Sequence, residues 1–222
     1  MSRCADRRSA MYLPAAFREE DPQRIDALLR AHPLALLVSG SGADGPHVSH
    51  VPLLREDMGG PGDRLIGHFA RANPHATAFD DGDAVLAVFR GPDAYVSPLW
   101  YASPGVPTWN FAAVHVHGRI RRVTDREALS ALIGRLAAAF EADVGEDWRW
   151  GGSGDPQAGK LDYIVGFEIA IERVEAKFKL SQNRSAEDRH KLAERLAASP
   201  READRTVAAM MTENERTQTQ KE

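Results

Sequence analysis

Arg71 and Asn73 have the setting that most clearly suggests chemistry. They lie in Gly67-His68-Phe69-Ala70-Arg71-Ala72-Asn73-Pro74, where a strand gives way to a short helix expected to run to about Phe79. Asparagine is a good N-cap and proline a good first helical residue, so the open amides of that helix would lie beside the Arg71 guanidinium. A helix N-terminus next to a guanidinium is what a dianionic phosphate requires. The plainer reading is a strand–helix corner with a solvated arginine. A second group is Gly91-Pro92-Asp93-Ala94-Tyr95-Val96-Ser97-Pro98-Leu99-Trp100-Tyr101 followed by Val106-Pro107-Thr108-Trp109-Asn110-Phe111, a stiff aromatic-rich connection. It can pack on a planar ligand, build an interface, or serve as a rigid loop. Lys177-Phe178-Lys179-Leu180-Ser181-Gln182-Asn183-Arg184 is dense in donors and reads either as a cover for an anionic or heteroaromatic ligand or as a polar exit loop.

Other chemistries are weaker. His115 and His117 would share a strand face, but two imidazoles without a carboxylate or thiol at telling spacing do not make a metal site, and none is expected. There is no G-x-S-x-G elbow, Walker loop or Rossmann glycine pattern. The single cysteine, Cys4, excludes an intramolecular disulfide and suits a reducing compartment. The N-terminus has charge without an apolar stretch, and nowhere do roughly 18 apolar residues run together, so a cytoplasmic protein outside the membrane is expected. A net charge of −4 and a pI near 6.1 argue against a chain that coats phosphate backbones.

The elements that must position these residues are mostly strands. Apolar or alternating runs cover Leu34–Ser39, His47–Leu54, Arg64–Ala70, Ala84–Arg90 and Ala112–Val123, punctuated by Gly, Pro and Asp. Val114, Val116, Gly118 and Ile120 alternate with His115, His117, Arg119 and Arg121, and Val165, Phe167, Ile169 and Ile171 alternate against Glu168 and Glu172. This pattern predicts a mainly β protein with peripheral helices (α+β), built on an antiparallel barrel of about six strands. Helices are expected after an Asp21 N-cap, after a Thr124–Glu127 capping pair, near Ser185, and after Ser199-Pro200-Arg201-Glu202, with fraying beyond about Thr212. The expected organisation is a disordered extension over 1–10, one domain over 11–198, and a C-terminal helix with a polar tail over 199–222. Met11 offers a second start codon.

Taken together, Met11-Tyr12-Leu13-Pro14, Gly67–Pro74, Gly91–Tyr101, Val106–His115, Val165-Gly166-Phe167-Glu168-Ile169 and Lys179–Arg184 resemble the PaiB family, described as FMN-binding negative transcriptional regulators. The resemblance runs from Met11 to about Leu196. It implies an FMN-binding split β-barrel, shared with pyridoxamine-phosphate-oxidase-like proteins, in which two subunits pair with FMN at their interface. It makes Arg71 and Asn73 phosphate-site candidates with His68 on the strand beneath, and places Ser49 and His50 near the flavin ring. Trp109, Asn110, Lys179 and Gln182 are further cofactor-binding candidates. Phe178 departs from the family's tryptophan. The implied function is a flavin-dependent regulator or sensor, and the alternative is a small FMN-dependent oxidoreductase. Direct DNA reading is doubtful, because the tail from Ser185 to Met211 mixes basic with acidic residues and shows no helix-turn-helix glycine.

Overall fold

The computed structural model describes residues 11–42, 45–56 and 62–219, so the expected extension over 1–10 lies outside the described residues. Eight strands and four helices follow in the order β1 (Arg18–Glu19), α1 (Pro22–Ala31), β2 (Leu34–Gly42), β3 (Gly45–Pro52), β4 (Leu54–Glu56), β5 (Arg64–Ala70), β6 (Ala84–Val96), β7 (Thr108–Val123), α2 (Arg126–Val144), β8 (Ile164–Lys179), α3 (Ala186–Ala197) and α4 (Glu202–Thr219). Contacts gather the chain into two compact units. Among the described residues, one comprises those within 26–89 and 115–174; the other comprises 11–25, 90–114 and 175–219.

The first unit contains the barrel. The strand order is β3-β2-β6-β7-β8-β5-β4. Only Leu53 separates β3 from β4, so one segment, 45–56, stands at both ends of that order and closes a ring of six. The pairs β2–β3, β2–β6, β4–β5 and β5–β8 are antiparallel. Alternation along each strand sends Leu37, Leu65, Phe69, Ala87, Phe89, Val116, Ile120, Phe167 and Ile169 inward, each essentially without solvent exposure. Gly118 is small because β8 crosses it closely: a Cβ there would lie 2.3 Å from the Ala170 carbonyl oxygen. On the outer face of β5, Ile66 meets Leu132 and Leu136 of α2.

The second unit holds β1, paired with Lys177 and Ala176 of β8, and the helices α3 and α4. Leu192, Leu196, Val207, Ala208 and Met211 are its buried apolar helical residues.

Several local expectations shift. The run ending at Arg90 continues to Val96, because the strand slips its alternation by one residue at Pro92-Asp93 and then buries Ala94 and Val96. Asp125, not Thr124, caps α2, its carboxylate accepting from the Ala128 amide at 2.8 Å. Before α4, Ser199 donates to Asp204 at 2.7 Å and accepts from the Arg201 amide at 3.2 Å, so Asp204 replaces Glu202 as its partner. The frayed end beyond Thr212 is instead helical to Thr219, tied down by Arg24 on Asn214 at 3.1 Å and Arg189 on Glu215 at 2.9 Å. The Asp21 cap forms as expected, accepting from the Gln23 amide, and the helix expected near Ser185 starts there, with Ser185 accepting from the Asp188 amide.

Candidate functional site

In the barrel unit, β5 ends at Ala70 and the chain turns through Arg71 to Asn73. Asn73 caps as its type and the following proline dictate, its Oδ1 accepting from the His75 amide at 3.0 Å. The expected helix to Phe79 is only one 3-10 turn, Pro74–Thr77. Its amides are spent locally: Pro74 has none, His75 donates to the Asn73 side chain, and Ala76 to the Asn73 carbonyl. The dipole of a longer helix is therefore not available, and an anion at this corner must be held by side chains.

Arg71 is built for that. Its Nε donates to the Asp162 carbonyl at 2.6 Å and one Nη2 hydrogen to the Ile164 carbonyl at 2.9 Å. Of five guanidinium N–H groups, two are spent on the chain and three have no partner among the described residues. The clamp fixes the plane of the fork and leaves donors on its outer edge. A cavity of about 290 Å³ opens beside it, lined by Arg71, Thr77, Arg122 and Thr124 among others. Arg122 is tethered through the carbonyls of Ala76 and Phe79 and lies over the Phe79 ring.

Ser49 and Asn73 are brought together, Asn73 Nδ2 donating to Ser49 Oγ at 3.1 Å. Ser49 pairs in register with the fully buried Leu37, so both face inward. His50, the next residue, is exposed on the opposite face and is not brought to this group. His68 is half-buried on β5, and its Nδ1 has no hydrogen-bond partner among the described residues. Two residues escaped the sequence reading. His75, buried under the Phe69 ring at 4.9 Å between centroids, bridges Ser39 at 2.7 Å and Ser49 at 2.9 Å. The one sequence signal for Ser39 is its polarity on the inward register of Ala35 and Leu37.

The other four candidates belong to the second unit, where they form a locked group of their own. Lys179 donates to Thr108 Oγ1 at 2.6 Å and to the Trp109 carbonyl at 2.5 Å. Burial and Lys177 lower its pKa. Trp109 is half exposed, with Tyr95 edge-on at 5.8 Å. Asn110 is fully buried; its Oδ1 accepts from Ser181 at 3.0 Å and its Nδ2 reaches Met211 Sδ at 3.6 Å. Ser181 holds a left-handed backbone with φ of 64°, which that bond helps to fix. Gln182 accepts from the Leu180 amide and donates to the Phe178 carbonyl, folding the donor-rich segment on itself. Phe178 is 3% exposed, with the Arg24 guanidinium 5.2 Å from its ring centre.

Burial lowers the pKa values of His32, His68 and His75 below the ordinary 6.5, with His47 adding to the effect at His75. The unfolded chain therefore takes up protons first as pH falls. The stability tied to these neutral rings is fully present above pH 6.5 and is lost as pH drops below that value. The urea midpoint at pH 5.5 should lie below that at pH 7.5; equal midpoints would contradict the assignment.

The structure fits a phosphate-bearing cofactor: a pre-oriented guanidinium with unspent donors lines a cavity together with Arg122, Thr77 and Thr124, and the Asn73–Ser49 pair follows within the same unit. Residues 11–173 match the family described as "Putative FMN-binding domain". The chain is 30% identical over 190 residues to Protease synthase and sporulation protein PAI 2 of Bacillus subtilis, spanning 84% of this chain and 89% of that protein. By structure it resembles the FAD and heme binding protein of Mycobacterium smegmatis (TM-score 0.55, 17% identity, 78% of each chain). It also resembles the flavocytochrome Anf3 of Azotobacter vinelandii (TM-score 0.54, 19% identity, 73% of this chain and 69% of that one). Those two likenesses establish the fold. No described helix is long and apolar enough to cross a membrane. With a family match across most of its length and a PaiB-type relative along nearly all of it, the chain belongs to the FMN-binding domain family as a PaiB-like flavoprotein whose cofactor is FMN.

Proposed function

We propose that the chain is a cytoplasmic homodimeric flavin sensor or regulator that holds the FMN phosphate at the corner of Arg71, Asn73 and Ser49. The observation that carries this reading is the Arg71 fork, anchored on its inner edge by two carbonyls and unspent on its outer edge beside a cavity. Bound FMN would supply reversible electron transfer, while the chain supplies orientation and electrostatics. Trp109, Lys179 and Gln182 remain proposed contacts to the cofactor, some of them from a second subunit, as does His68. His50 and Asn110 carry the same proposal on family resemblance alone. Exposed Tyr95 and Trp109 support pairing of subunits, since aromatic side chains of this kind are enriched at interfaces. The relative's name places it in protease synthesis and sporulation, which supports a regulatory role.

Regulation by direct sequence reading is not part of the proposal. In and beside α3 and α4, four of the basic side chains are engaged locally: Arg189 with Glu215, Lys191 with Glu187, Arg201 with Asp204, and Arg205 with the Ser199 and Pro200 carbonyls. Such a surface gives a phosphate backbone little to grip.

The FMN-loaded protein should stay yellow on addition of NADH or NADPH, run near twice its 24.3 kDa chain mass in light scattering, and shift DNA weakly without sequence preference. Rapid flavin bleaching would instead favour an oxidoreductase. A mass near 24.3 kDa would rule out the dimer, and nanomolar sequence-selective binding would restore direct repression.

A further inference from the structure

We propose that His75 is a positioning residue: held by Ser39, its imidazole turns the Ser49 hydroxyl proton outward, so that Ser49 serves as a hydrogen-bond donor to a phosphate oxygen of bound FMN. The inference rests on the FMN reading above and adds to it the device that sets the polarity of one contact.

The bond directions follow one from another. Asn73 Oδ1 takes the His75 amide, which leaves Nδ2 facing Ser49 Oγ at 3.1 Å, and Nδ2 can only donate. His75 Nε2 lies 2.7 Å from Ser39 Oγ, and Nδ1 lies 2.9 Å from Ser49 Oγ. Ser39 is 2% exposed, and among the described residues Nε2 is the one polar partner of its hydroxyl. A buried hydroxyl proton without an acceptor is costly, so that proton goes to Nε2. Nε2 is then bare, and the neutral ring carries its hydrogen on Nδ1, which donates to Ser49. A doubly protonated ring would take Ser39's acceptor away. Burial beneath Phe69 and the neighbouring His47, 5.7 Å between ring centres, both disfavour that state.

Ser49 Oγ thus receives two donors, which fill both of its lone pairs, and its own proton has only the outward direction left. Ser49 is half-exposed and takes a hydrogen bond from Asn73, two residues along the same turn from Arg71 and its unspent donors. With the opposite tautomer, Ser49 would spend its proton on Nδ1 and turn a lone pair toward the incoming oxygens. Phosphate oxygens at neutral pH are acceptors, so the buried Ser39–His75 pair decides whether Ser49 attracts or repels them. Neither Ser39 nor the ring needs to touch the ligand.

Three measurements test this, the first of them free of cofactor. Long-range ¹H–¹⁵N spectra of the FMN-free protein near neutral pH should show His75 as the Nδ1–H tautomer; an Nε2–H tautomer would overturn the proposal whether or not FMN binds. In a double-mutant cycle read by flavin fluorescence, Ser39→Ala should weaken FMN binding roughly threefold to tenfold and Ser49→Ala about tenfold, with the double variant no weaker than Ser49→Ala alone. Additive losses would mean that Ser39 acts elsewhere and would overturn the relay. Riboflavin, which lacks the phosphate, should bind equally to wild type and Ser39→Ala; an equal loss for both flavins would refute the phosphate assignment. Failure of the wild type to bind FMN at all would sink the functional reading itself, and the tautomer measurement would still judge the relay.

Discussion

Arg71→Ala is expected to weaken FMN binding by at least about tenfold. Charge-assisted hydrogen bonds contribute roughly 1.5–3 kcal/mol each, and the arginine's exposure to solvent screens part of that, so one decade is the lower bound. Arg71→Lys should recover only part of the loss, because a point charge cannot grip two oxygens in a fork and cannot keep both inner carbonyls engaged. The apo variants and wild type, titrated with FMN at one ionic strength, give the comparison. Affinity equal to wild type in Arg71→Ala would place the phosphate elsewhere, with Lys179 or Arg184 the next positions to vary, and would leave the fold untouched.

Phe69→Ala is expected to have the largest effect on stability. Phe69 is 1% exposed and packs on Phe167 at 4.7 Å, His75 at 4.9 Å and Phe79 at 6.3 Å between ring centres. Truncating a buried phenylalanine to alanine costs about 3–5 kcal/mol through lost burial and the cavity left behind. In a chain of this size that is a fall in Tm on the order of 10 °C. Because the ring also supports His75, FMN affinity should fall with it, whereas Phe69→Leu should keep most of both. A Tm change of less than about 2 °C in Phe69→Ala would mean that the barrel core is organised otherwise.

What was legible in the sequence was what local chemistry fixes. The Asn73-Pro74 corner, the Asp21 cap, the helix start near Ser185 and the inward register of Val114, Val116 and Ile120 depend on neighbours along the chain, and they stand as read. Where a long-range ladder decides, local patterning does not show the outcome. Gly91-Pro92 looks like a break, yet β6 passes through it by slipping its alternation. The Arg71–Asn73 corner was visible, but the length of the following helix was not, since a 3-10 turn and an α-helix share the same first residues. His75 and Ser39 stand 36 residues apart and meet only because β2 and the Pro74–Thr77 turn converge inside the barrel unit. Neither has a motif of its own. The donor-rich segment after β8 shows the reverse: its sequence advertises ligand contacts, while Gln182 and Ser181 spend their polar atoms holding the turn together.

The most direct test of the central claim is a crystal structure of the protein with FMN bound. It should show phosphate oxygens within about 3 Å of the Arg71 guanidinium and of Ser49 Oγ, with the inner edge of Arg71 still on the Asp162 and Ile164 carbonyls. A phosphate seated away from Arg71, with that corner empty of the cofactor, would contradict it.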